Sequence, residues 1–373
     1  MGIELLNFLK KKKKTQPSNG NGLKTLEFEK VPEYNPGIQE DKKSIVRLVS
    51  NKKVKKPYRV TGIDDVASKN NWKAWLYLAP VIILVVIFLL YPLINTIFIS
   101  VTKNYNYTTG KYDGFTLENF GVILHLTTYN DVYEEFFLPV ALKNTFILTF
   151  ITVPVSIALA LLISVLLNSI KAFQKFLQTV FFLPYVTNAI AIGMVFSVLF
   201  NDQGLINYIF GLQANATTGK EAMHWIVNAK TEIAMIPLSL FIVWNSIPFK
   251  ILILLSGLQG IDKQYYQAAQ IDAAPKWKVF WRVTVPLLSP QILYLMITSF
   301  IGAFKEYSSI ISIFGKNGES MAGQKNMYTV VFYVYDNISS NTSFAAAAAV
   351  FLFIIILVFT FIQFWVSSKR VHY

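Results

Sequence analysis

Tyr265-Tyr-Gln-Ala-Ala-Gln-Ile-Asp-Ala-Ala-Pro-Lys-Trp-Lys-Val-Phe-Trp-Arg-Val-Thr-Val-Pro286 lies between two long hydrophobic stretches. It is too polar to sit in lipid, and Lys276, Lys278 and Arg282 give it the charge bias of a cytoplasmic loop. Gln267-Ala268-Ala269 reads as a helical turn whose small side chains let another surface approach. Pro275 disfavours helix at the residue before it, so Asp272–Pro275 reads as a turn. Trp277, Phe280 and Trp281 fall at i, i+3 and i+4, an apolar stripe on a second short helix. Taken alone, the stretch fits two descriptions. One is a helix–turn–helix shaped to dock onto a partner; the other is an interfacial loop with Trp at the headgroup level.

The surrounding sequence is that of a membrane protein. Hydrophobic residues make up 54% of 373, and charged residues 15%. Six stretches are apolar enough to cross about 30 Å of hydrocarbon. They are Ala74–Thr102, Asn144–Ile170, Phe176–Asn201, Ile233–Ile261 (interrupted by Lys250), Val283–Phe304 and Asn337–Ser368. With the amino terminus in the cytoplasm, 25 Lys and Arg fall on that side and six on the other, the remaining three lying in or beside spans. That bias predicts both termini inside, and it accounts for the net charge of +13 without a nucleic-acid partner. No internal repeat is evident, nor the paired broken helices of an inverted-repeat carrier.

Some chemistry is excluded. With no cysteine there is no disulfide, thiolate metal site or Cys nucleophile. The three histidines, His125, His224 and His372, are too scattered to suggest a metal centre. No Gly-x-x-x-x-Gly-Lys-Ser/Thr loop is present, so any ATP is hydrolysed on a separate chain.

The loop resembles the EAA loop of ABC importer permeases, which reads Glu-Ala-Ala, two residues, Asp-Gly-Ala, then a basic-aromatic run ending in Leu-Pro. Gln267-Ala268-Ala269, Asp272-Ala273-Ala274 and Val285-Pro286 keep that spacing. Gln267 stands for the Glu and Ala273 for the Gly. The lost Gly implies a turn that either avoids φ > 0 or tolerates strain. The resemblance runs from about Ala74 to the C-terminus. It includes Thr116–Phe120, Leu142–Thr145, Phe181–Tyr185, Gly204–Asn207, Leu258–Ile261 and Ala348–Phe351, and looks like the sugar-importer branch, similar to maltose-type and multiple-sugar-type permeases.

That resemblance implies an all-α fold of six transmembrane helices of the type I importer kind, in a bacterial cell membrane. It divides the chain into a polar tail, 1–71, and a permease domain, 72–373, with a coupling loop at 257–286. It implies a non-catalytic subunit that binds no cofactor itself, ATP and Mg being held by a partner ATPase dimer. The other implied partners are a second, different permease chain and an extracytoplasmic sugar-binding protein. Gln267, Ala268, Ala269, Asp272, Ala273, Ala274 and Pro286 would form the contact with the ATPase. The alternative is an ATP-independent secondary carrier or channel.

Polar groups inside spans are costly unless they face a cavity or partner, which makes them candidates for a substrate path. Asn245, Ser246, Phe249, Ser299 and Glu306 supply the hydrogen-bonding groups and aromatic face that sugar recognition needs. The family builds its pocket at positions matching these and Gly302 and Ala303. Small and polar residues also glue membrane helices together, so simple helix contact is the other reading. The expected substrate is an uncharged oligosaccharide, with Lys305 the residue that argues for an anion. Pro154, Pro184, Pro237 and Pro248 fall within spans, as kinks or, at Pro184 and Pro248, as flex points. The tail reads as mostly disordered. Its start is either an amphipathic foot on the inner leaflet or a solvated basic segment.

Overall fold

The computed structural model describes residues 71–124, 137–170, 174–214 and 221–367. The tail up to residue 70 lies outside the described residues. The chain divides into two units, Met1–Tyr77 and Leu78–Tyr373. In the first, only the start of a helix is described. The second is helical among the described residues, with one isolated antiparallel bridge, Thr102 to Phe115.

Four helices are long and apolar enough to span a bilayer unbroken: α1 (Trp75–Ser100), α3 (Val140–Ser169), α7 (Thr231–Gly260) and α13 (Thr342–Ser367). Two further spans are bent. α4 (Gln174–Val186) meets α5 (Ala189–Leu199) at 94°, and α9 (Lys276–Leu287) meets α10 (Ser289–Phe304) at 67°. The shorter helices are α2 (Glu118–Ile123), α6 (Leu205–Ile209), α8 (Lys263–Ile271), α11 (Ser308–Phe314) and α12 (Val330–Asn337). The apolar stretches 176–201 and 283–304 are each sharply bent. The first bend follows Pro184, and Asn188 fixes it by accepting the Ile190 N–H at 2.9 Å as the cap of α5. The second falls at Leu288 and Ser289, so Val283–Leu287 belong to the second loop helix. Pro154, Pro237 and Pro248 sit inside unbroken helices.

α3 and α7 form the centre, and their windows are the most enclosed of the spans, 39% and 44% buried against 6% for α1. The buried face of α3 reads Thr145, Thr149, Thr152, Ser156, Ala160, Ser164, a stripe at steps of three and four. Small hydroxyl residues there let two backbones approach; the protons of Thr145, Thr152, Ser156 and Ser164 go to carbonyls of the preceding turn, while Thr149 Oγ1 is buried without a hydrogen-bond partner. Ser164 Oγ lies 2.6 Å from Ala160 O and 3.3 Å from Ile251 O across the interface. α10 and α13 are fastened to α3 by aromatic edges. Phe146 meets Phe304 at 5.5 Å, Phe150 meets Phe300 at 5.6 Å, and Phe359 meets Phe300 at 4.7 Å. The outward faces of α1, α3, α5 and α13 are apolar, as a lipid solvent requires.

At the end of the bundle away from α8, buried asparagines replace missing regular structure. Asn119 donates to Ser100 O and Thr102 O at 2.9 and 2.8 Å. Asn144 donates to Asn326 O and Tyr328 O, both at 2.9 Å. Asn207 donates to Asp202 O and Met223 O at 3.0 and 2.8 Å. Each amide thereby satisfies two backbone carbonyls. In the same region Lys325 Nζ and Tyr328 Oη both donate to Asp336, at 2.9 and 2.6 Å.

Two measurements follow. A side chain at Gly193 on α5 would collide with Oγ and Cβ of Ser312 on α11. Gly193→Val should therefore destabilise the solubilised protein by about 1–3 kcal/mol. Gly193→Ala should be milder, and rescued by Ser312→Gly; absence of rescue in thermal melts would refute the contact. Asp336 offers a second test. Burial raises its pKa, but the Tyr328 and Lys325 hydrogen bonds outweigh that and hold it low. A depressed folded pKa gives stability that is present above the ordinary aspartate value of about 3.9 and lost as pH falls below it. Asp336→Asn should remove part of that acid-side slope in melts taken across the same window.

Candidate functional site

α7 and α10 face each other across an open cavity of about 400 Å³, within the roughly 300–1,000 Å³ of small-molecule sites. On α7, Asn245, Ser246 and Phe249 recur at helical spacing and point to one side. On α10, Ser299, Gly302 and Ala303 do the same, and Glu306 follows just past the helix end. All seven line this cavity. A Cβ at Gly302 would meet nothing within 4 Å, so that wall is open. The bend after Pro184 brings Tyr185 onto Phe249, rings stacked at 5.6 Å and 19°. α3 adds Thr152 and Ser156. The lining is thus mostly hydroxyl, amide and small residues with an aromatic pair, suited to a polyhydroxylated ligand.

Residues next to these are placed differently. Trp244, next to Asn245, turns away and packs on Phe196 of α5 at 5.4 Å. Lys305 caps α10, is exposed and is not part of the cavity wall. Lys305 and Glu306 are not adjacent on a helix: Glu306 lies beyond the end of α10, where its Oε1 accepts the Ser309 N–H at 3.0 Å. The cation in the cavity is Lys250, which is 4% exposed. Its Nζ donates to Ser156 Oγ at 2.7 Å and Ser246 Oγ at 2.9 Å. Sequence reasoning noted Lys250 only as an interruption of a span. The signal was there, a lysine in an otherwise uncharged run; what it faces was not. Ser156, Thr152 and Tyr185 were missed because their role depends on a neighbouring helix. Among the described residues, no group of three or more His, Asp or Glu can hold a metal ion.

The quoted loop forms the expected helix–turn–helix. Asp262 caps α8 by accepting the Gln264 N–H at 3.0 Å. The helix ends in a Schellman motif: Ala274 N–H donates to Ala269 O and Ala273 N–H to Gln270 O, both at 3.0 Å. Ala273 has φ 48°, so the turn tolerates strain where a glycine would be relaxed. Gln267, Ala268, Asp272 and Ala273 are exposed, and Ala274 is half-buried. Ala269 is buried within the chain and is therefore not on the outer face. That face carries Ile271, 85% exposed. Pro286 lies inside α9, so the loop's second helix runs past it. Trp277, Phe280 and Trp281 cluster with centroids 5.0–6.0 Å apart, and Tyr266 Oη and Thr284 Oγ1 lie 3.3 Å apart between the two loop helices.

With this architecture in hand, comparison with known proteins is direct. Residues 152–372 match the binding-protein-dependent transport system inner membrane component family, and the chain belongs to it. It is 29% identical over 302 residues to the lactose transport system permease protein LacF of Rhizobium radiobacter, covering 79% of this chain and 94% of that one. It is 28% identical to the sn-glycerol-3-phosphate transport system permease protein UgpA of Agrobacterium fabrum, covering 83% of this chain and 100% of that one. A solved bacterial alginate ABC transporter, in complex with an alginate pentasaccharide-bound periplasmic protein, shares the fold. Its TM-score is 0.64 at 20% identity, over 83% of this chain and 98% of that one. The chain is thus a multi-pass membrane permease of the sugar-importer kind.

The strained turn generates a prediction. Left-handed backbone costs a non-glycine residue about 1–2 kcal/mol, and glycine returns about half of that as unfolded-state entropy. Ala273→Gly should therefore slow amide exchange modestly across Lys263–Leu287, and Ala273→Val should speed it. The reverse order would contradict the observed turn.

Proposed function

We propose that this chain is one of two permease subunits of an ATP-driven importer of oligosaccharides. The observation that carries the reading is the cavity between α7 and α10. It gathers all seven polar, small and aromatic residues expected to line a substrate path. A saccharide presents hydroxyl edges to amide and hydroxyl groups, and a C–H face to an aromatic ring. Asn245, Ser246, Ser299 and Glu306 offer the first, and the Phe249–Tyr185 stack the second. The named relatives carry lactose and sn-glycerol-3-phosphate, both polyhydroxylated.

In this reading the chain hydrolyses nothing. ATP and Mg bind to a separate ATPase dimer with two clefts, and α8 with its turn enters one of them. A second, similar permease supplies the other loop and the other half of the path. An external binding protein delivers the sugar, and both termini face the cytoplasm. The docking face is Gln267, Ala268, Ile271 and Asp272. Ile271 is the apolar anchor, because an isoleucine so exposed on a polar loop is uncovered until a partner covers it. The tail serves expression or membrane association more than transport.

Ile271→Asp places an unpaired charge in that contact and should cut ATPase co-purification and ATP-coupled uptake about tenfold or more. Ala269→Asp should instead disturb the loop itself, visible as faster exchange in α8. Normal assembly and coupled uptake with Ile271→Asp would sink the docking assignment. Uptake by this chain alone in vesicles lacking ATP would favour a secondary carrier.

A further inference from the structure

The cavity contains a buried ammonium with no carboxylate beside it. Among the described residues the ion pairs are Lys103–Glu118, His224–Asp202 and Lys325–Asp336; Lys250 is in none. Its partners are two hydroxyls. Those hydroxyls are oriented for it, because Ser246 Oγ donates to Val243 O at 2.9 Å and Ser156 Oγ to Val153 O at 3.0 Å. With their protons committed to the backbone, their lone pairs accept from Nζ. An ammonium has three N–H groups, and two are used. Hydroxyl dipoles hold the charge in place but do not neutralise it. A methionine would fill the same volume without the cost of burying a charge inside a membrane span.

Glu306 is the carboxylate of the same cavity, but it forms no ion pair with Lys250. Lys250 lies one turn beyond Ser246 along α7, but its side chain reaches back, so Nζ sits 2.9 Å from Ser246 Oγ. α10 leads away from the loop, and Glu306 follows its far end, already accepting the Ser309 N–H. The ammonium is therefore held by hydroxyls and is in no ion pair with Glu306.

We propose that this cavity is selective for a polyhydroxylated substrate bearing an anionic group, a uronate carboxylate or a phosphate ester, received by the third N–H of Lys250. The inference rests on the saccharide reading above and replaces the expectation of a neutral sugar. It also moves the anion-binding role from Lys305, which the cavity does not include, to Lys250. In a site walled by protein and lipid, a cation attracts an anion more strongly than it would in water. The hydroxyls of the same substrate would face Asn245 and Ser299.

The test uses the assembled transporter, with its partner permease, ATPase and binding protein, in ATP-loaded proteoliposomes. Uptake is measured for a uronate trisaccharide, glycerol phosphate and maltotriose, for wild type, Lys250→Met and Lys250→Arg. Wild type should favour one of the two anionic probes, which identifies the carboxylate or the phosphate. Lys250→Met should lower that uptake about 30-fold or more, while Lys250→Arg retains most of it. Uptake of maltotriose alone would overturn the proposal and leave the saccharide reading intact. Uptake of none of the three would overturn both. Anion uptake unchanged in Lys250→Met would overturn the role of Lys250. If that variant does not co-purify with its partners, Lys250→Gln replaces it, and wild-type competition between maltotriose and the anionic probes decides.

Discussion

In hydrocarbon there is no water to satisfy a polar group, so each one must find its partner inside the protein. The contact between α3 and α7 is where this chain meets that constraint. On α3, Thr145, Thr152, Ser156 and Ser164 return their protons to the helix backbone, and Thr145 and Ser156 keep lone pairs for a neighbour. Ser156 does this, and with Ser246 it supports the buried ammonium of Lys250. The same small residues let the helices approach, so packing and polar satisfaction come from one stripe. α10, held to α3 by phenylalanine edges, then faces α7 with a gap between them. The cavity is what remains when two helices are each fixed to a third more firmly than to one another.

Much of this was legible in the sequence. Apolar length marked the four unbroken spans and most of the two bent pairs, because a bilayer sets the length of an element directly. Polar groups inside spans marked Asn245, Ser246, Ser299 and Glu306, and the family resemblance added Gly302 and Ala303. What could not be read was which faces meet. The stripe on α3 looks like ordinary helix glue until α7 lies against it. The right-angle bend after Pro184 is invisible to a hydropathy count, because both halves are apolar. Yet that bend delivers Tyr185 to Phe249. Ala269 shows the converse error. Its small size suggested an exposed docking surface, whereas smallness served close packing within the chain, and the exposed residue beside it is the bulky Ile271.

The short sequence matches that carry the family resemblance divide by role. Asn119, Asn144 and Asn207 each give an amide to two backbone carbonyls, a structural task at helix ends where regular hydrogen bonding stops. The loop Lys263–Leu287 is different. It is capped at Asp262, closed by a Schellman turn and stiffened by an aromatic cluster, so it holds its shape while exposing Ile271. A rigid element attached to α7 and α10 is mechanically placed to pass motion to the cavity between them. Ala273 at φ 48° shows that the turn geometry is kept even without the glycine that suits it.

The central claim is that the gap between α7 and α10 is the path of the transported molecule. The chain contains no cysteine, so a single Ser299→Cys gives it one reactive thiol. In proteoliposomes of the complete transporter, a membrane-impermeant thiol reagent would be applied from each side, with and without ATP and substrate. The account predicts labelling of this chain from one side at rest, a change of side or rate when ATP binds, and protection by substrate. Labelling indifferent to both ATP and substrate, or no labelling from either side in any state, would contradict it.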